Sequence, residues 1–207
     1  MEQHSLTDKP TRALVVLEGQ IRECFARVVY SHKTHEKCAD ILLVRLARLK
    51  ISQILLSGIT TGGFVAAILG SKEPAAVLGV VVSTALLVLT AYTKNYDLGE
   101  LAQKHRHAAS DLWLIREQYL SLLTDLHTGS LDLAELQRRR DALLDSLHGV
   151  YSGAPSTTVE AYRKAQRALK RLEDMTFAED EIDAFLPKEL KRGQGAARSI
   201  AASPNSS

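Results

Sequence analysis

Cysteine, proline and aromatic residues are all scarce in this 207-residue chain: two Cys, five Pro, and aromatics at 5 %. Cys24 and Cys38 stand 14 positions apart. On one helix that is about 21 Å at ~1.5 Å per residue, too far for a bond within the chain. The opening segment MEQHSLTDKPTR lacks the apolar core of a secretory signal. Free thiols in a reducing compartment are therefore expected. The few prolines, and the lack of any alternating apolar–polar run, exclude a strand-rich domain. Charge of one sign is also missing in bulk. Twenty-six Lys and Arg against 24 Asp and Glu leave a net charge of +2, so total charge gives no reason to expect nucleic-acid binding.

Catalytic signatures are absent too. There is no phosphate-binding loop, GxSxG, HExxH or carboxylate pair on an apolar wall, so neither an enzyme nor a cofactor is expected. The nearest metal pattern is Cys24, His32, His35 and Cys38, which has no CxxC pair and spreads over several helical turns. His105 and His107 point about 200° apart on a helix and cannot share an ion. No metal is expected.

What the chain does have is one apolar block. Residues 51–70 (ISQILLSGITTGGFVAAILG) and 74–93 (PAAVLGVVVSTALLVLTAYT) are uncharged over twenty residues each. Each spans about 30 Å as a helix, the thickness of a bilayer's hydrocarbon core. Ser71, Lys72 and Glu73 form the turn between them, Pro74 suits a first helical turn, and the two spans must run antiparallel. A buried hairpin in a soluble bundle is the alternative, but a soluble core helix normally keeps one polar face. Lys33, Lys37, Arg45, Arg48 and Lys50 precede the first span, Lys94, Lys104 and Arg106 follow the second, and only Lys72 marks the turn. Both termini are accordingly expected in the cytoplasm of a multi-pass inner-membrane protein.

The flanks carry seams. Leu14, Leu17, Ile21, Cys24, Val28, Ser31, His35, Cys38, Leu42, Arg45 and Leu49 alternate by three and four, as do Leu98, Leu101, His105, Ala108, Leu112, Ile115, Tyr119, Leu122 and Leu126. Such spacing predicts that both membrane helices continue into the cytoplasm and zip together for about 45 Å. Ser31, His35, Arg45 and His105 are the polar interruptions. Gly129 is expected to end the long helix. Asp132 with Glu135, Thr157 with Glu160, and Thr176 with Glu179 have capping-box spacing before short helices, the first to about His148 and the second over about 158–174, with GVYSGAP (149–155) as a turn. The expected organisation is a flexible start (1–10), an entry helix (11–50), the hairpin (51–93), a stalk helix (94–128), a C-terminal helical region (129–192) and a disordered tail (193–207). The fold class is an all-α membrane protein: an antiparallel two-transmembrane hairpin, extended into a cytoplasmic coiled-coil stalk with short C-terminal helices.

Three stretches, RLARLKISQILLSGITTGGFVAAILG, the turn SKEP, and LTAYTKNYDLGELAQKHRHAASDLWLIREQYLSLLTDL, resemble the SLATT family of two-transmembrane effectors over roughly residues 12–190. The ending TFAEDEIDAFLPKEL is similar to the subgroup found beside reverse transcriptases. The resemblance implies a membrane effector of bacterial anti-phage defence, which oligomerises and permeabilises the inner membrane once a partner or nucleotide signal triggers it. It brings no catalytic residue.

Within the spans, Gly58, Gly62, Ala66 and Gly70 recur every fourth position, and Gly79 and Ser83 lie on a broad small-residue face of the second span with Ala76 and Thr90. Small residues let lipid-immersed helices approach closely. The stripe is read as the seam within one hairpin, with a contact between subunits as the alternative. Gln53, Ser57 and Thr60 cluster on a nearly opposite face, where polar groups require protein or water. They are read as the subunit contact or a water path, which makes the protein a homo-oligomer. Arg138, Arg139 and Arg140 are read as a solvated face. Arg163, Lys164, Arg167, Lys170 and Arg171 form a basic stripe opposite Val159, Tyr162, Leu169 and Leu172, suited to anionic lipid, RNA or an acidic partner. Glu179, Asp180, Glu181 and Asp183 follow as a candidate acidic latch, and they weigh against nucleic acid. A non-conducting scaffold that anchors a cytoplasmic partner such as a reverse transcriptase remains the second reading.

Overall fold

A computed structural model describes residues 8–68 and 73–171, all helix and short connections, with no strand among the described residues. The helices are α1 (Asp8–Ile68), α2 (Glu73–Asn95), α3 (Leu98–Thr128), α4 (Leu133–Gly153) and α5 (Val159–Arg171). α1 has 61 residues without interruption, about 90 Å at ~1.5 Å per residue. α2 and α3 run back along it: His35 meets His105, Leu46 approaches Gly99, and Gln53 reaches Thr93. Partner numbers fall along one limb as they rise along the other, so the limbs are antiparallel.

The stalk seam forms largely as the spacing predicts, with one slip. Leu17, Ile21, Cys24, Val28, His35 and Cys38 are buried, and Leu42 and Leu49 are half-buried. Between them the spacing takes two fours in a row (Cys38, Leu42, Leu46), which turns exposed Arg45 out of the seam and brings Leu46 in. Two successive fours advance the seam around the helix beyond the strict heptad position. On α3, Ala102 is buried and Leu101 faces out.

The distal end is thicker than a two-stranded stalk. Leu17, Ile21, Cys24 and Val28 of α1 pack with Leu112, Ile115, Tyr119 and Leu122 of α3 and with Leu136 and Leu143 of α4. α4 thus closes a three-helix core, each fully buried aliphatic side chain stabilising it by about 1.5–3 kcal/mol.

The caps explain where elements start and stop. Gly129 ends α3 at φ 65°, a left-handed conformation that costs a Cβ-bearing residue roughly 1–2 kcal/mol. The Asp132 carboxylate accepts from the Glu135 backbone N–H at 2.8 Å and opens α4. GVYSGAP is not a turn: α4 continues to Gly153 because Val150 packs on the core and Tyr151 hydrogen-bonds Ser31 at 2.6 Å. The helix stops at Ala154, whose ψ of 142° is what a residue before proline is forced toward. Thr158, rather than Thr157, caps α5, its hydroxyl accepting from the Ala161 N–H at 3.2 Å.

The second limb is jointed, where the sequence reading has it continuous. α2 ends at Asn95, and Asp97 caps α3 by accepting the Glu100 N–H at 2.8 Å. Asp97 and Glu100 have the spacing of a helix start. The device expected at Thr176 and Glu179, and the tail from 193, lie outside the described residues.

Candidate functional site in the membrane hairpin and stalk

The hairpin's inner face is the stalk seam carried upward. After Leu49 the half-buried positions are Gln53, Leu56, Thr60 and Gly63, again at fours and threes, facing half-buried Gly79, Val82, Leu86, Leu89 and Thr93 of α2. The Gln53 amide donates to the Thr93 hydroxyl at 2.9 Å, which donates to the Thr90 carbonyl at 3.0 Å. This relay satisfies a polar side chain where water is scarce.

That geometry reverses the expected faces for Gln53, Thr60, Gly58 and Gly62, while Ser57 faces out and Gly79 in. Gln53 and Thr60 belong to the seam within one hairpin. Gly58 and Gly62 are exposed, and a Cβ added at either meets nothing within 4 Å. The reason is register: glycines at positions 58 and 62 fall between the seam positions 56, 60 and 63, so their small size is not used inside the hairpin. Ser57, Gly58, Thr61 and Gly62 form one open strip. Gly79 is half-buried on the inner face of α2 and Ser83 is exposed. Gly70 and the side chain of Ala66 lie outside the described residues. Each of the hydroxyls of Thr60, Thr61, Ser83, Thr84 and Thr90 donates to a carbonyl of its own helix three or four residues back.

Around the two spans the surface is apolar. Ile54 is 71 % exposed, Phe64 68 % and Leu87 69 %. Among the described residues one helical stretch is long and apolar enough to cross a bilayer; 18 residues within Val77–Thr128 have a mean hydropathy of 1.7 and none of them is buried.

Below the spans, two of the polar interruptions of the seam meet one another. His35 and His105 are both 3 % exposed, with Nδ1 atoms 2.9 Å apart. One ring must donate and the other accept, so the accepting ring is neutral in this geometry. Burial, then His105 and His32, lower the His35 pKa from 6.5 to about 4; burial lowers that of His105. His32 is lowered mainly by burial, partly countered by Glu36. Ser31 leaves the seam to bond Tyr151, and Arg45 pairs with Glu160 at 3.3 Å. Cys24 and Cys38 are free and buried. These partners were beyond sequence spacing, because Tyr151 and Glu160 come from helices whose docking side no local pattern specifies.

In α5 the buried face is Ala161, Ala165 and Ala168, while Val159 is 69 % and Tyr162 47 % exposed, unlike the apolar face expected. Arg163, Lys164, Arg167, Lys170 and Arg171 are exposed. The Glu160 carboxyl is held below its ordinary pKa, first by Lys164 and then by Arg45. Arg138 and Arg139 pair with Glu135, Arg139 also with Asp125, and Arg140 donates to Gln20 at 2.6 Å, so these three do more than face solvent. Glu179, Asp180, Glu181 and Asp183 lie outside the described residues.

A long entry helix, an apolar helical hairpin and a return limb packed beside the entry helix are the parts of a two-transmembrane effector, and the sequence comparison agrees. The profile of SMODS and SLOG-associating 2TM effector domain family 4 matches residues 17–181. The chain belongs to the SLATT family. No curated protein and no solved structure matches it. The SLATT match covers the three-helix core, the hairpin and α5 together, and makes the chain a membrane protein. SLATT effector domains are not a known catalytic family.

Proposed function

We propose that this SLATT chain is a non-enzymatic inner-membrane effector of an anti-phage defence system, with both termini in the cytoplasm. It assembles as a homo-oligomer of hairpins and permeabilises the bilayer when a partner, such as a reverse transcriptase or an enzyme producing a nucleotide signal, triggers it. The open strip Ser57, Gly58, Thr61 and Gly62 carries this reading. The hairpin seals its own seam with other residues, so a strip of glycines and hydroxyls is left for a close helix contact that only another subunit supplies. The Lys and Arg distribution supports the orientation.

A second reading, a non-conducting scaffold that anchors the partner, has its own support: the hydroxyls of Thr60, Thr61, Ser83, Thr84 and Thr90 are all satisfied by their own helix, and no charge lies within either span. Induced expression with the partner, followed by a membrane-potential dye, separates the two. Depolarisation that is lost in Ser57→Leu or Gly62→Leu, with the protein still in the membrane fraction, supports the effector. Full membrane potential at high expression leaves the scaffold.

A further inference from the structure

Between α1 and the start of α5 runs a groove of about 400 Å³. Lys37, Arg45, Arg48 and Lys164 line it, against the carboxylates of Asp40 and Glu160. Asp40 is already held by Arg106 at 3.0 Å and Lys37 at 3.5 Å, and Glu160 by Arg45 at 3.3 Å and Lys164 at 3.1 Å. Arg48 has no ion pair among the described residues. The groove therefore holds a net excess of positive charge.

Its position is as informative as its charge. Arg48 lies three residues before the first apolar span and Arg45 six, about 4.5 and 9 Å down the axis at ~1.5 Å per residue. The headgroup layer is about 5–7 Å thick on each side of the hydrocarbon core. Arg48 thus stands within the layer where lipid phosphates are, with Arg45 one turn beneath it at the layer's outer edge, and Val44 beside them, 49 % exposed, offers an apolar wall. The Arg45–Glu160 pair is exposed on both sides, 59 % and 52 %, and such a pair is weak enough to yield to a competing anion.

We propose that this groove binds the phosphate of an anionic phospholipid headgroup, gripped by Arg45 and Arg48 from α1 and by Lys164 from α5. The inference rests on the first span entering the bilayer near Ile51. Bound lipid ties α5 to the membrane surface, with basic clusters beside a span being the usual recognition device for such headgroups.

The full chain is reconstituted in phosphatidylcholine nanodiscs with and without phosphatidylglycerol, and thermal unfolding is followed. Phosphatidylglycerol is expected to raise the Tm by a few degrees, as a ligand of the folded state does. Arg45→Gln/Arg48→Gln is expected to lose more than half of that rise, and Arg22→Gln/Arg27→Gln, an equal loss of charge far down α1, to keep it. Inorganic phosphate added to phosphatidylcholine discs is expected to do nothing; a rise matching that of the lipid would overturn the lipid assignment in favour of a soluble phosphate. Equal Tm in both discs, or an undiminished rise in the groove variant, overturns the site. If the double variant unfolds in phosphatidylcholine, Lys164→Gln is read instead and must lose part of the rise. A chain that enters neither disc overturns the membrane reading as well, whereas equal Tm overturns the lipid site alone.

Discussion

His35 and His105 approach through the same ring atom, Nδ1 to Nδ1 at 2.9 Å, so a proton added to the accepting ring leaves two N–H groups opposed. The folded-state His35 pKa of about 4 lies below the ordinary 6.5, and His105 and His32 shift the same way. A depressed histidine favours the unfolded chain on protonation. Stability is accordingly complete above pH 6.5 and declines as pH falls toward 4, which thermal unfolding of the detergent-solubilised chain across that range will show. His105→Leu strands the His35 nitrogen and is expected to cost about 1–3 kcal/mol. His35→Leu/His105→Leu removes both polar partners, recovers most of that loss and flattens the pH dependence. Tyr119 gives the opposite sign. It is fully buried, and its hydroxyl has no hydrogen-bond partner that satisfies it, only the weakly polar Cys24 thiol alongside, which with burial raises its pKa. Tyr119→Phe is expected to leave stability unchanged or raise it by about 1 kcal/mol, measured by the denaturation midpoint.

The elements were more legible than their faces. Every helix among the described residues corresponds to a segment read from spacing and caps, because apolar periodicity and N-cap chemistry are local. The face assignments in the hairpin failed for one reason. A small-residue stripe says how closely a partner can approach and nothing about which partner. The register had been available: continuing the seam from Leu49 by fours and threes reaches Gln53, Leu56, Thr60 and Gly63. Gln53→Leu is therefore expected to weaken the hairpin by about 0.6–2 kcal/mol, seen as faster dissociation in denaturing detergent. Gly58→Leu/Gly62→Leu should leave the hairpin intact and abolish oligomer bands on chemical cross-linking; oligomers that persist would remove the open strip from the assembly. At the joint, Asp97→Ala is expected to cost about 1 kcal/mol through its cap. Gly99→Ala alone should disturb the same cap, since a Cβ there meets the Asp97 Oδ1 at 3.2 Å; circular dichroism melts of the two single variants check both.

At the scale of the molecule, sequence composition already separated an apolar pair of spans from a charged helical remainder, and the family match runs through both, over 17–181. What it could not give is that α4 docks as the third helix of the distal core, because α4 has only Leu136 and Leu143 buried, too few for a periodic signal to mark its docking face. The orientation is testable on the whole chain: a reporter fused after residue 207 or before residue 1 should be active only in its cytoplasmic form, and a reporter inserted between the two spans, beside Lys72, only in its exported form.

The two limbs of the hairpin differ in mechanical kind. α1 is a single shaft from the distal core to the far end of the first span, whereas the return path is articulated at Tyr96 and Asp97. A twist applied to the stalk would therefore reach the first span through one unbroken helix, whereas it would meet a break in the backbone hydrogen-bond ladder before reaching the second.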